Sequence, residues 1–381
     1  MKRIGLLIVF SAALLMVSCN GKKQNPDVVP APEAGMVFSG SIAPLTRSTF
    51  VDNTLTTLKW DNTDNIGIYT FKAGTVDPAQ ILPGGQVSLA AEDINPDFST
   101  FQKGFGAIAI DAANPSLATF TATKSAEDFM PATPADGVDD VYAFYAYYPV
   151  TTTEVPTPAT YSGDYGVALS VADVQASGSE TTFGQYQICA AGEDFSSLYA
   201  RSALLAGSNR VDFQFAPVTS LIRFRMHTPP DNPKTYTVSQ LKMTLDQGNL
   251  SGDVVLYPQN NPYPASGEAV WPLVSVATDY AAHSVAVAFD SNLTIGNDFT
   301  DYYFAVVVPT NDTPTEMLMT FVACDENGQP VLSTTKVLPK RGEGADARYG
   351  FRPGKIYTLD LQLDEFTAEA VAGKYNVFDW E

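Results

Sequence analysis

The chain of 381 residues is too long for one ordinary domain and long enough for two or three, at roughly 150 residues each. Charged residues make up only 17%, against roughly 25% in an average soluble domain, so Ser, Thr, Asn, Gln and Gly must build most of the solvent face. With 22 basic and 42 acidic residues the net charge is -20, which repels phosphate backbones and excludes nucleic acid as a partner; two histidines, His227 and His283, leave little for imidazole acid–base chemistry or a His-rich metal site.

In chain order, Lys2-Arg3 forms a short positive region and Ile4 to Val17 an apolar run too short to span a bilayer comfortably, which predicts a signal peptide over residues 1–18. It ends Met16-Val17-Ser18-Cys19, with a small residue directly before cysteine, and so resembles a bacterial lipobox. In such a motif the Cys19 thiol takes a diacylglycerol before the signal is removed. Residues 19–35 are polar, Pro-rich and without periodicity, as expected of an unfolded tether. Next, Met36, Phe38 and Ile42 share one face at period two, the pattern of a strand with one buried side. Pro44 interrupts that pattern, and Arg47 follows between small polar residues, as suits a loop able to enter a protease cleft.

From there strand signals dominate, and no amphipathic helix of twelve residues or more is evident. The segments 141–148, 211–215, 221–226, 285–289, 302–308 and 356–363 are short, rich in aromatic or β-branched residues, largely alternating and bounded by Pro, Gly, Asn or Asp. With 26 prolines and 27 glycines between them, they predict antiparallel β-sandwiches with long loops. A turn or two of helix is expected within 194–205, and the Gly/Ser/Asn break at 206–210 is the candidate domain boundary. In 142–148, alternation puts Tyr142, Phe144, Ala146 and Tyr148 on one face and Ala143, Tyr145 and Tyr147 on the other, expected as a core strand with a partly exposed second face. Cys189 and Cys324 lie in apolar contexts and are expected as buried thiols, with a bridge between them the alternative.

Chemistry is sparse. There is no HExxH, GxSxG, P-loop or CxxC motif, and Gly104-Phe-Gly106 and Gly342-Glu-Gly344 read as turns, not dinucleotide sites. The oxygen-rich stretch from Asp61 to Gly67 lacks the carboxylate spacing of a calcium loop and is expected as a side-chain-capped turn. Asp139-Asp140 is a pair that chance supplies among 42 acidic residues. No enzyme activity, metal or cofactor is expected.

Several fragments resemble one family. Leu45-Thr46-Arg47 followed by Leu58-Lys-Trp60-Asp-Asn-Thr-Asp64-Asn-Ile66-Gly-Ile68-Tyr69 is similar to the "TR … W…GD.IGIY" opening of fimbrillin-like proteins. These are the type V pilus subunits and Mfa-like surface lipoproteins of anaerobic Gram-negative bacteria. The run from Tyr142 to Pro149 resembles their "F.AYYP" strand, Ser197-Leu-Tyr-Ala200 their "DLLYA" turn, and Phe213 to Phe224 their "F.F.HALA.L.F" segment, with Ala216 in the place of His. Arg352-Pro-Gly354-Lys-Ile-Tyr357-Thr-Leu359-Asp-Leu361 resembles their closing "PGK.Y.L.L" strand. The succession is collinear over nearly the whole chain.

The resemblance implies two tandem transthyretin-like β-sandwich domains, drawn here as 48–207 and 208–364, after a removable first strand and processing site at 36–47. It implies a pilus shaft or anchor subunit exported as a lipoprotein through Cys19, exposed on the cell outer membrane, cut after Arg47 by an arginine-specific protease and polymerised by strand exchange with other pilin subunits. Residues 365–381 are surplus to a closed sandwich; Tyr375, Val377, Phe378 and Trp380 make them a candidate donor strand for a neighbour. The competing expectation is a monomeric outer-membrane surface lipoprotein that binds glycans.

Overall fold

A computed structural model describes residues 36–42 and 60–367, apart from 88, 90–96, 115, 123, 132–137, 151–154, 156–158, 162–163, 177–185, 192–197, 207–209, 258–272, 311–312, 339 and 342–347. Cys19, Arg47, Tyr375, Val377, Phe378 and Trp380 lie outside the described residues. The chain from Gly35 to Glu381 clusters as one unit, and what is described of it is all-β.

Its first eleven strands are β1 (Val37–Ile42), β2 (Asn65–Val76), β3 (Asp97–Ile110), β4 (Leu117–Ala122), β5 (Asp139–Tyr148), β6 (Ala159–Tyr161), β7 (Asp164–Val171), β8 (Val174–Ala176), β9 (Cys189–Ala191), β10 (Leu198–Ala200) and β11 (Arg210–Pro217). Eight of them form one sheet in the order β10-β5-β2-β3-β4-β1-β11-β9. Because β9 pairs with β11 on one side and with β5 on the other, the sheet closes on itself. A barrel results, with β10 attached outside the ring at β5.

Alternation fills it. On β11, Val211, Phe213 and Phe215 are buried while Arg210, Asp212 and Gln214 are exposed, the period of a strand with one wet face. The barrel interior collects Phe38, Trp60, Ile66, Ile68, Phe120, Phe129, Tyr142, Phe144, Phe213 and Phe215. The other face of β2 and β5, with Tyr69, Phe71, Ala143, Tyr145 and Tyr147, packs under a second sheet. The split of the 142–148 run into two faces is as expected, but both are buried, so the partly exposed second face is corrected. A continuous apolar run is what a strand covered on both sides needs.

The remaining strands are β12 (Ser220–His227), β13 (Tyr236–Leu245), β14 (Gly252–Leu256), β15 (Leu273–Ser275), β16 (Ser284–Ile295), β17 (Tyr303–Val307), β18 (Leu318–Cys324), β19 (Pro330–Val337), β20 (Lys340–Arg341), β21 (Arg348–Tyr349), β22 (Ile356–Gln362) and β23 (Asp364–Glu365). The sheet β17-β12-β22 faces the sheet β23-β19-β18-β13-β16-β8 across a core that includes Phe224, Met226, Leu241, Met243, Phe321 and Leu361. This is a two-layer sandwich, as the alternating segments predict.

Strand pairing crosses the boundary drawn at residue 207. Strand β11 belongs to the barrel through β1 and β9. The cover over β5 is the sheet β15-β14-β7-β6, built from both halves. Strand β8 joins β16, and the buried Gln175 amide accepts from the Val306 N–H at 2.9 Å and donates to its carbonyl at 2.6 Å. One side chain thus stands in for a strand at that point on the edge of β17.

The expected helical stretch resolves into β10 followed by the short helix α1 (Arg201–Leu205). At Asp61 the carboxylate accepts from the backbone N–H of Thr63 at 3.0 Å and its hydroxyl at 2.9 Å, the expected capped turn. Cys189 and Cys324 are both free and buried. Burial pushes the Cys189 thiol up to about 12, and a thiol is unreactive while protonated. Ellman's reagent is therefore expected to reach both only in denaturant; rapid labelling of the native protein at either position would contradict their placement.

Candidate functional site: the first strand and its slot

Strand β1 is an inner stave of the barrel, antiparallel to β4 and parallel to β11. Its sequence explains the seat. Met36, Phe38 and Gly40 are buried and Val37, Ser39 and Ser41 half-buried, so period two aims alternate positions inward. Phe38 is fully buried: it stacks on Phe213 with ring centroids 5.6 Å apart and meets the edge of Phe129 at 5.8 Å. Full burial of such a ring is worth roughly 2–3 kcal/mol before the aromatic contacts are counted.

Gly40 carries no side chain because there is no room for one. A Cβ there would lie 2.8 Å from Phe120 Cε2 and 3.1 Å from Phe215 Cε2. Those two rings are held by Trp60, whose centroid is 5.0 Å from Phe120 and 5.1 Å from Phe215, both edge-on. The Trp60 indole N–H donates to the Gly40 carbonyl at 3.3 Å. The residue that closes the slot from inside thus touches the strand that fills it.

The outward side is polar. The Ser39 hydroxyl donates to the Asp212 carboxylate, which also takes Arg210 Nε at 2.8 Å. Partial burial raises the Asp212 carboxyl, and the hydrogen bonds from Ser39 and Arg210 outweigh it, so its pKa lies below the usual value. At the start of the strand, Met36 donates its N–H to Lys124 and accepts from Ala122. Without β1 the facing edges of β4 and β11 would expose a row of backbone donors and acceptors over an aromatic trough.

Alternation marks Met36 and Phe38 in the sequence but does not mark Gly40 or Asp212. A glycine inside an otherwise apolar strand face is the signal that could have marked close approach. The far end of the fold is anchored too. Strand β23 pairs with β19, Glu365 is gripped by Lys234 and Tyr236, and the Phe366 N–H donates to Val331. Residues 364–366 are therefore still part of the sandwich. Among the described residues no group of three or more His, Cys, Asp or Glu is placed to hold a metal ion. The exposed large aromatics among them are Tyr280 and Phe299, and Phe299 lies against Arg225 at 3.9 Å and His227 at 4.2 Å.

Solved structures that resemble this chain include a fimbrial protein from Bacteroides vulgatus, at 12% identity and a TM-score of 0.38 over 87% of this chain and 98% of that one. A fimbrial assembly protein from Parabacteroides distasonis follows at 8% and 0.34, over 87% and 96%. The fimbrial anchor protein Mfa2 from Porphyromonas gingivalis is similar at 11% and 0.28, over 78% and 81%. All three carry fimbrial names. No protein-family model and no curated protein matches the chain.

Proposed function

We propose that this protein is a structural pilin, a shaft or anchor subunit of a fimbrium that serves cell adhesion. In this reading it is exported as a lipoprotein, held at the outer membrane through lipid on Cys19 and exposed at the cell surface. A diacylglyceryl group plus an N-acyl chain supplies the two or more chains that stable anchoring takes. An arginine-specific protease cuts after Arg47, β1 leaves, and the open slot receives the C-terminal segment of another subunit, carrying Tyr375, Val377, Phe378 and Trp380. Repetition head to tail gives an open-ended filament, a homopolymer or a mixed pilus.

The observation that carries this reading is the position of β1. It is bonded on both edges and centred on an aromatic core, yet Arg47 follows it closely in sequence, so one cut severs it from the rest of the fold. An ordinary edge strand, if lost, would leave no slot between two neighbours.

The test combines two variants. Arg47→Ala is expected to leave a precursor in the membrane fraction, and removal of residues 375–381 is expected to give processed monomers with a normal thermal transition and no filaments. Electron microscopy and non-boiled electrophoresis read the outcome; wild-type filaments from the shortened chain would sink strand donation.

A further inference from the structure

We infer that the segment received by the slot is Val371–Val377 of a second copy of this chain, that it runs opposite to β1, and that Gly373 fixes its register by taking the place of Gly40. This rests on the reading of the protein as a pilin that exchanges strands.

The argument starts from the narrowest point. Only a residue without a side chain fits at position 40, where even a methyl group would press on Phe120 and Phe215. Residues 367–381 contain a single glycine, Gly373. With Gly373 there, two directions remain. Running with β1, the segment would put Val371 at position 38 and Glu369 at position 36. The residue now at 36 is completely buried, and an unpaired carboxylate there is strongly disfavoured. Running against β1, it puts Tyr375 in the place of Phe38, Val377 in that of Met36 and Val371 at position 42. The buried positions 36 and 38 then keep apolar residues, and the one glycine stays a glycine.

The outward face gives an independent check. In the opposed direction Lys374 takes the place of Ser39, which is paired in register with Asp212 and bonded to its carboxylate. A lysine ammonium there meets an anion held ionised by its neighbours. In the other direction Ala372 would occupy that position and the charge match is lost. Reversal makes the segment antiparallel to β11 and parallel to β4, the opposite of β1 on each edge, so backbone pairing does not choose the direction and the side chains do. Phe378 and Trp380 then fall beyond position 36, outside the slot.

The test is disulfide trapping in assembled filaments of the processed chain. Cross-strand partners have Cβ atoms about 5 Å apart, close enough to bridge. Chains carrying Asp212→Cys with Lys374→Cys are expected to give a ladder of covalent oligomers after boiling without reductant, and chains carrying Asp212→Cys with Ala372→Cys to give monomers. A ladder from the second pair instead, or from neither pair in filaments that do form, overturns the direction and register. If the cysteine variants assemble poorly, Gly373→Leu decides. It is expected to leave the thermal transition of the unprocessed chain unchanged and to cut filament yield by about tenfold or more, because overpacking the slot weakens seating. Unaltered assembly of that variant overturns the proposal. Filaments from a chain lacking 368–381 would refute strand donation itself, an outcome distinct from either of these.

Discussion

Phe38→Ala is expected to lower the stability of the unprocessed chain by about 3–5 kcal/mol, the usual cost of truncating a fully buried phenylalanine. The size follows from its surroundings. Phe38 touches Phe129, Phe144 and Phe213, three rings supplied by other segments, so the cavity left behind has rigid aromatic walls and cannot easily collapse. Calorimetry before and after processing separates the roles. Phe213→Ala removes a wall of the slot and should weaken both precursor and filament. In the proposed exchange Phe38→Ala alters only the strand that departs, so the precursor should lose stability while the filament, once formed, melts as wild type. Equal losses in both states would mean that β1 stays in place through maturation.

The second large effect is on pH. Lys336 on β19 is almost completely buried and sends its ammonium across the sandwich to the Asp360 carbonyl at 3.0 Å. Burial pulls its pKa down to about 8, with Asp360 opposing, against 10.5 for the ordinary side chain. Because the folded state gives up this proton first, the unfolded chain binds more protons between these values. Taken alone, Lys336 therefore makes stability rise with pH from about 8 to about 10, by about 2–3 kcal/mol at roughly 1.4 kcal/mol per pKa unit. The Cys189 thiol, held up to about 12 by burial, opposes this rise from about pH 9, because the unfolded thiol ionises first, and above that the slope reverses. Burial pushes Tyr145 and Tyr147 up to about 12, so unfolded tyrosines ionise before folded ones and favour unfolding. Urea titrations from pH 7 to 11 should show a maximum near pH 9. In Lys336→Met the rise should vanish and the fall remain; a rise of the same size in that variant would show that another group carries it.

Much of the sandwich could be read from the chain because its strands alternate cleanly. The apolar segments at 211–215, 221–226 and 356–363 became β11, β12 and β22 with ends shifted by a residue or two. The run at 142–148 misled in one respect. Its pattern separates two faces correctly, but alternation cannot say whether the second face meets water or another sheet. That depends on β7 and β14, which come from different halves of the chain and meet only in the fold. Pairing between distant segments is likewise invisible to local patterning, which is why β8 on β16 and β11 in the barrel were beyond reach of a boundary drawn at a Gly/Ser/Asn break. At the site, Met36 and Phe38 were legible and Gly40 was not. Its significance lies in two rings, Phe120 and Phe215, far away along the chain.

The inner position of β1 also has a consequence for concentration. Ser39 and Asp212 are 173 positions apart, and β11 is the last ring strand to appear in the sequence. Closing so long a loop costs on the order of 4–5 kcal/mol of chain entropy, which folding must recover from the contacts of a single short strand. While the chain is intact, β1 is presented to its slot at the high effective concentration of an intramolecular partner. One break between Ile42 and Trp60, as proposed after Arg47, would remove that advantage. The strand would then be a separate peptide, on the side of the cut that carries Cys19, and its return would no longer be intramolecular. Under this proposal the covalent continuity of one stretch of chain decides whether the barrel interior keeps its occupant.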